Sequence, residues 1–172
     1  MKILQVIPNL LKGGAQRLII DICNELLNHN DVECMLLVLT NSRNEFQHIS
    51  KNLNIVHLNV KFHLSLLKKS NIDINEYEKI VNEFRPDIIH SHLYFAELIC
   101  HENTRKNITY VSHFHDNIEQ LSNLKATNIF SRKAIIHFYE KQRILSKYNQ
   151  TNKVFITISN DSDYYAKSIF PK

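Results

Sequence analysis

Six short apolar runs constrain this chain more than any other feature: KILQVIP (2–8), ECMLLVLT (33–40), NIVHLNV (54–60), DIIHS (87–91), ITYVS (108–112) and KVFITIS (153–159). Most are nearly continuous in Val, Ile and Leu. A strand with one wet face alternates apolar and polar residues, whereas a strand covered on both faces does not. The runs therefore read as strands of a buried parallel sheet, with helical stretches between them. In residues 14–29, Ala15, Ile19, Ile22 and Leu26 fall on one helical face, with Arg17, Asp21 and Glu25 elsewhere. Residues 73–84 open with Asp73 as N-cap, place Ile80 and Phe84 on one side, and stop at Arg85-Pro86. Residues 94–104 and 129–147 read as further helices, and 41–70 as a short helix with a loose amphipathic piece. This alternation predicts an α/β fold, a doubly wound, mostly parallel sheet flanked by helices. The 172 residues suffice for one such domain.

Composition excludes several classes. A net charge of +4, with no basic run interleaved by aromatics, argues against nucleic acid. Cys23, Cys34 and Cys100 lack metal or redox spacing and read as buried thiols in a reducing compartment. The N-terminal apolar run is short, broken by Gln5 and Pro8, and lacks a small-residue cleavage site. No window approaches a transmembrane span. The expected location is cytoplasmic.

Gly13 and Gly14 are the only two glycines in the chain, and they sit together between the first strand and the first helix. So low a count implies that each occupies a place where the backbone is constrained. Glycines before a helix let a ligand approach the backbone, and the free N–H groups there favour an anion such as a phosphate. The alternative is a simple chain turn. A dinucleotide site is disfavoured, because G-x-G-x-x-G is absent and the second strand ends VLTN without an acidic residue. The P-loop pattern is absent as well.

Two strand ends carry histidine pairs, His90-x-His92 and His113-x-His115. The carboxyl edge of a parallel sheet is where ligands bind, and alternate residues of an extended segment share a face. The pairs, with Asp116, offer zinc-type ligands. The competing reading is hydrogen bonding to backbone or substrate oxygens, and no further His/Asp run completes a metal centre. The expectation is therefore no metal. Near the end, Asn160 or Asp161 reads as the cap of the last helix.

Four segments in register, KILQVIPNLLKGGAQR, RPDIIHSHL, YVSHFHDN and VFITISN, resemble the N-terminal half of a GT-B glycosyltransferase of the large retaining group called family 4. The resemblance covers essentially the whole chain. One departure is Gln16, where the family usually has Glu. The resemblance implies a Rossmann-like domain, residues 1–172, that holds the acceptor, opposite a C-terminal domain that binds a nucleotide-sugar donor. It implies that Gly13, Gly14 and Arg17 approach the donor diphosphate and that His115 sits at the transferred sugar. By the same resemblance, His92, Asp116 and Asn117 line the acceptor side. No cofactor is implied beyond the nucleotide-sugar as co-substrate, and no metal.

The donor-binding half is missing from these residues, so the chain is expected to be inactive alone. It would be a truncated enzyme or one chain of a split enzyme, completed in cis or in trans. Its expected acceptor is a glycan or lipid-linked sugar in surface polysaccharide synthesis. KFHLSLLKK (61–69) and SRKAIIHFYEKQRILSK (131–147) mix basic and apolar residues, as peripheral membrane segments do, although packing on the sheet explains the second better. Two rival readings are a non-catalytic subunit that recruits a separate donor-binding chain and a metal-dependent hydrolase using the His-x-His pairs.

Overall fold

Strand β1 (Lys2–Ile7) lies inside a six-stranded sheet, paired in parallel with β2 (Glu33–Val38) on one side and β6 (Ile88–His92) on the other. β3 (Ile55–His57) extends the sheet beyond β2, while β7 (Thr109–Phe114) and β8 (Asn152–Thr157) extend it beyond β6. All five ladders are parallel, in the order β3-β2-β1-β6-β7-β8. The computed structural model describes residues 1–63, 71–115, 131–149 and 151–170. The connections carry α1 (Gly14–Leu26), α2 (Asn75–Phe84), α3 (Tyr94–Cys100) and α4 (Arg132–Tyr148), and α5 (Asn160–Ile169) follows β8. The strand order reverses between β1 and β6, so the chain diverges there at the carboxyl edge, where a crevice forms in such sheets.

The sheet buries both faces, which is why its strands read as continuous apolar runs. On one face Ile7, Leu36 and Val38 pack against Ile19, Ile20 and Cys23 of α1. On the other, Leu4, Val6, Ile89, Tyr110 and Phe114 meet Tyr77, Val81 and Phe84 of α2, Leu98 and Ile99 of α3, Ile144 and Tyr148 of α4, and Ile169 of α5.

Several local expectations are corrected. The buried face of α1 centres on Ile19, Ile20 and Cys23, with Ile22 only partly buried, because Cys23 reaches Cys34 of β2 at 3.8 Å between sulfurs. Two thiols far apart in sequence are thus neighbours. The N-cap of α2 is Ile74, while Asp73 accepts a hydrogen bond from the Asn75 N–H at 3.2 Å, one position early. The cap of α5 is Ser159, in a reciprocal box with Ser162, and not Asn160 or Asp161. Among the described residues, 41–63 contain no helix. Instead Phe62–His63 (β4) pairs antiparallel with Asn71–Ile72 (β5). Most of the basic amphipathic segment 61–69 lies outside the described residues. α4 turns Ile144 and Tyr148 into the core, as expected for packing on the sheet. Among the described residues, no helix is long and apolar enough to cross a membrane.

One buried polar hub ties four elements together. Glu97 on α3 accepts hydrogen bonds from Ser91 Oγ of β6 (2.6 Å), Ser112 Oγ of β7 (2.8 Å) and the Tyr148 hydroxyl of α4. Burial raises its pKa from 4.5 to about 7, although the three hydroxyls pull the other way. Between those two pH values the folded chain keeps a proton that the unfolded chain has lost. The corresponding stability is present below pH 4.5 and lost as the pH rises through about 7. Glu97→Gln is therefore expected to gain stability relative to the parent as the pH is raised from 5 to 8. Urea midpoints of both proteins across that range measure it, and a constant difference would refute the assignment.

Arg85 ends α2 in the left-handed region, φ 53° and ψ 61°, with an exposed side chain. An L side chain is disfavoured there and glycine is not. Arg85→Gly is expected to leave stability unchanged or raise it by about 1 kcal/mol, read by thermal unfolding.

Candidate functional site

Parallel pairing brings the end of β1, the end of β6 and the end of β7 to one edge. Val6 is level with Ser91, and His92 with His113. The segment after β1 is pinned by its neighbours. Thr40 Oγ1 donates to the Pro8 carbonyl at 3.0 Å, the Lys12 N–H donates to the Glu45 carboxylate at 2.7 Å, and Leu10 is fully buried. The chain then enters α1 through Gly13, whose carbonyl accepts from the Arg17 N–H at 3.1 Å.

Neither glycine is required by backbone conformation. Gly13 is extended, with φ −173° and ψ 164°, and no glycine has positive φ. A Cβ on Gly13 would press on the Gln16 side-chain oxygen, the end of a flexible side chain. Among the described residues, a Cβ on Gly14 would meet nothing within 4 Å. The expectation of a backbone constraint is thus corrected, and among the described residues open space lies beside Gly14 at the head of α1. No side chain caps that helix, and its first turn holds no acidic residue. The first N–H groups and the positive end of the dipole are thus left without a side-chain cap at that end. Arg17 is directed elsewhere, since its Nε bonds both oxygens of Asp21, one turn along the exposed face.

The four histidines of the strand ends form one stack. His90 lies 4.2 Å from His92 and 5.3 Å from His113 between ring centroids, and His113 lies 4.3 Å from His115. His92 is fully buried and uses both ring nitrogens. Nε2 is 2.9 Å from Gln5 Oε1, and Nδ1 is 2.9 Å from His115 Nε2. Burial lowers the pKa of every member, to about 3 at His90, to about 4 at His113, well below 6.5 at His92, and downward at His115. The stack is neutral at pH 7. Leu93, immediately after His92, is held at φ 69° and ψ 159°, a region nearly reserved for glycine, and this strain turns the chain sharply into α3. Asp116 and Asn117 lie outside the described residues.

His90, His92 and His113 could each present one nitrogen to a metal ion, all within 4.8 Å of one another. Two features of the present arrangement bear on that. Imidazole lone pairs lie in the ring plane, and the His90 and His113 planes are parallel to within 1°. His92 has both nitrogens committed. A cation held by all three would break one of the His92 hydrogen bonds, whereas His90 Nε2 and His113 Nδ1 are buried without a partner among the described residues. A separate cavity of about 680 Å³, lined by Leu145, Phe155, Ala166 and Phe170 among others, includes none of these histidines.

Sequence reasoning singled out the histidines and the glycine segment but missed Gln5 and Glu97. The available signal was a lone polar residue inside an apolar strand, KILQVI, and a lone acid inside an apolar helix, YFAELIC.

With this geometry in place, the comparisons identify the class. Residues 12–163 match Glycosyltransferase Family 4, and the chain belongs to that family. No match is found among curated proteins. Among solved structures, the chain resembles a dTDP-glucose 4,6-dehydratase from Bacillus anthracis str. Ames, determined in complex with NAD. The TM-score is 0.54 at 12% identity, over 91% of this chain and 54% of that one. It also resembles an epimerase-like structure from Burkholderia cenocepacia J2315, with TM-score 0.48 and 12% identity over 90% of this chain and 52% of that one. The chain spans about half the length of these structures. The first likeness shows the Rossmann-like fold.

Neutral buried histidines make the site acid-labile. Below pH 6.5 the unfolded chain takes up protons that the fold refuses until about pH 4 at His113 and about pH 3 at His90. Their stability contribution is complete above pH 6.5 and lost as the pH falls through those values. His90→Phe is expected to flatten the fall in stability between pH 6 and pH 4 by up to about 1.4 kcal/mol per pH unit. Denaturant titrations at stepped pH test this, and an unchanged slope would place the lability elsewhere.

Proposed function

We propose that this chain is the acceptor-side domain of a retaining glycosyltransferase. It works with a donor-binding domain, in cis or in trans, to move a sugar from a nucleotide-sugar to a glycan or lipid-linked acceptor. The observation that carries the reading is the family match over residues 12–163. Support from the geometry lies at the carboxyl edge, which holds both an uncapped helix N-terminus beside Gly14 and a partly exposed neutral imidazole at His115.

In this reading the donor diphosphate approaches the open space at Gly14, and the first N–H groups of α1 stabilise its charge as the sugar–phosphate bond breaks. His115 accepts a hydrogen bond from a hydroxyl of the transferred sugar. His92 is buried with both ring nitrogens committed, so it supports His115 from behind and does not itself meet the acceptor. Positioning and fixed dipoles carry the rate, and no metal is required. Surface polysaccharide synthesis is the proposed setting, at the cytoplasmic face of a membrane that the protein touches peripherally.

The test compares this chain alone with an assembly that includes a donor-binding domain, both incubated with a panel of nucleotide-sugars. Release of nucleoside diphosphate is expected only from the assembly. Within it, Gly14→Val is expected to lower kcat/KM for the donor by about tenfold or more while leaving thermal stability nearly unchanged. Full activity of the variant would remove the diphosphate from this helix.

A further inference from the structure

A buried amide sits at the head of the histidine stack. Gln5 lies on β1 and is 1% exposed, among apolar neighbours. It is level with His90 of β6 and shares a sheet face with His92, two residues on. Its side-chain oxygen meets His92 Nε2 at 2.9 Å, and His92 Nδ1 meets His115 Nε2 at 2.9 Å. The three side chains form one line, from the centre of the sheet to the partly exposed His115.

With the Gln5 amide oxygen turned toward His92, as it stands in the structure, the line has one consistent solution. A side-chain amide oxygen can only accept, so the proton between Gln5 and His92 belongs to His92 Nε2. His92 is buried and neutral, so it carries a single ring proton and its Nδ1 holds a lone pair. That lone pair requires a donor, and the group facing it is His115 Nε2. His115 is then the Nε2–H tautomer, and its Nδ1 is unprotonated. A buried amide thereby dictates, through one intermediate ring, which nitrogen of a distant imidazole can accept a hydrogen bond.

We propose that Gln5 is a positioning residue that fixes His115 as a hydrogen-bond acceptor at Nδ1, acting through His92. The ligand group that this nitrogen suits is a neutral donor, such as a sugar hydroxyl. That assignment rests on the glycosyltransferase reading above, whereas the tautomer does not. The opposite tautomer would present an N–H to the same hydroxyl, compete with its acceptor partners, and leave His92 Nδ1 and His115 Nε2 sharing no proton.

The test reads the ring nitrogens directly in the free chain, so it stands whether or not the protein transfers sugars. Long-range proton–nitrogen correlation spectra of the nitrogen-15-labelled protein at pH 7.5 distinguish protonated from bare imidazole nitrogens. The expected result is Nε2–H at both His92 and His115. Gln5→Leu removes the acceptor and is expected to scatter both rings into mixed tautomers. Gln5→Glu keeps an acceptor at the same place and is expected to retain the parent pattern at His115. An Nδ1–H signal at His115 in the parent protein would overturn the proposal. So would Gln5→Leu spectra with both rings unchanged. If Gln5→Leu does not fold, the parent and Gln5→Glu spectra still decide. A parent pattern as expected, together with no sugar transfer by the assembled enzyme, would keep the relay and reject the glycosyltransferase reading.

Discussion

The alignment of β6 against β7 governs this molecule, and a single buried carboxyl group holds it. Ser91 and Ser112 are level across that ladder, and both hydroxyls donate to Glu97. Tyr148 brings α4 to the same carboxyl. The next residues along each strand, His92 and His113, are also level, and alternation turns them to the opposite face. A one-residue slip would send the histidines into the apolar core and the serines away from Glu97. The hub and the stack are thus two faces of one register. Burying a carboxyl among apolar groups is costly unless its oxygens are satisfied. Here three hydroxyls share it, so the cost of desolvation is set against a network that only the correct register completes.

Much of this was legible in the sequence because it rests on local pattern. Continuous apolar runs marked the strands, and the histidine pairs and glycines fell at strand ends, where a parallel sheet gathers ligands. What stayed hidden depends on contacts between distant residues. Gln5 and His92 are 87 positions apart, and Tyr148 and Glu97 are 51 apart. No periodicity reports such pairs. The displaced caps at Ile74 and Ser159 have a smaller cause. Asp73, Asn160 and Asp161 are good cap residues in isolation, but the neighbouring backbone decided which residue stands at the boundary.

The glycines show how structure can change the reason for a correct observation. Their rarity suggested a strained backbone, yet both conformations are open to any residue. What distinguishes Gly14 is that a side chain would project into open space at an uncapped helix end. Such a position costs stability in the unfolded chain's favour, because glycine has more freedom to lose on folding. It gives no compensating internal contact. Close approach by something outside the domain is the physical circumstance in which that cost has a return.

On the proposed reading, the electrostatics of the edge bear on how two domains would divide the work. The histidines are neutral at pH 7, so the stack contributes hydrogen bonds but no net charge. Arg17 has a carboxylate partner within its own helix. What the segment after β1 offers an anion is the dipole at the head of α1, equivalent to about half a unit charge, together with the exposed Lys12 beside it. A departing nucleoside diphosphate carries more negative charge than that. On the reading proposed here, the full cations that balance it come from a donor-binding domain across the cleft. This chain would supply the oriented dipoles, the neutral acceptor nitrogen and the shape of the site. Such a division would place a neutral acceptor nitrogen beside the sugar hydroxyl while strong positive charge is kept at the leaving group.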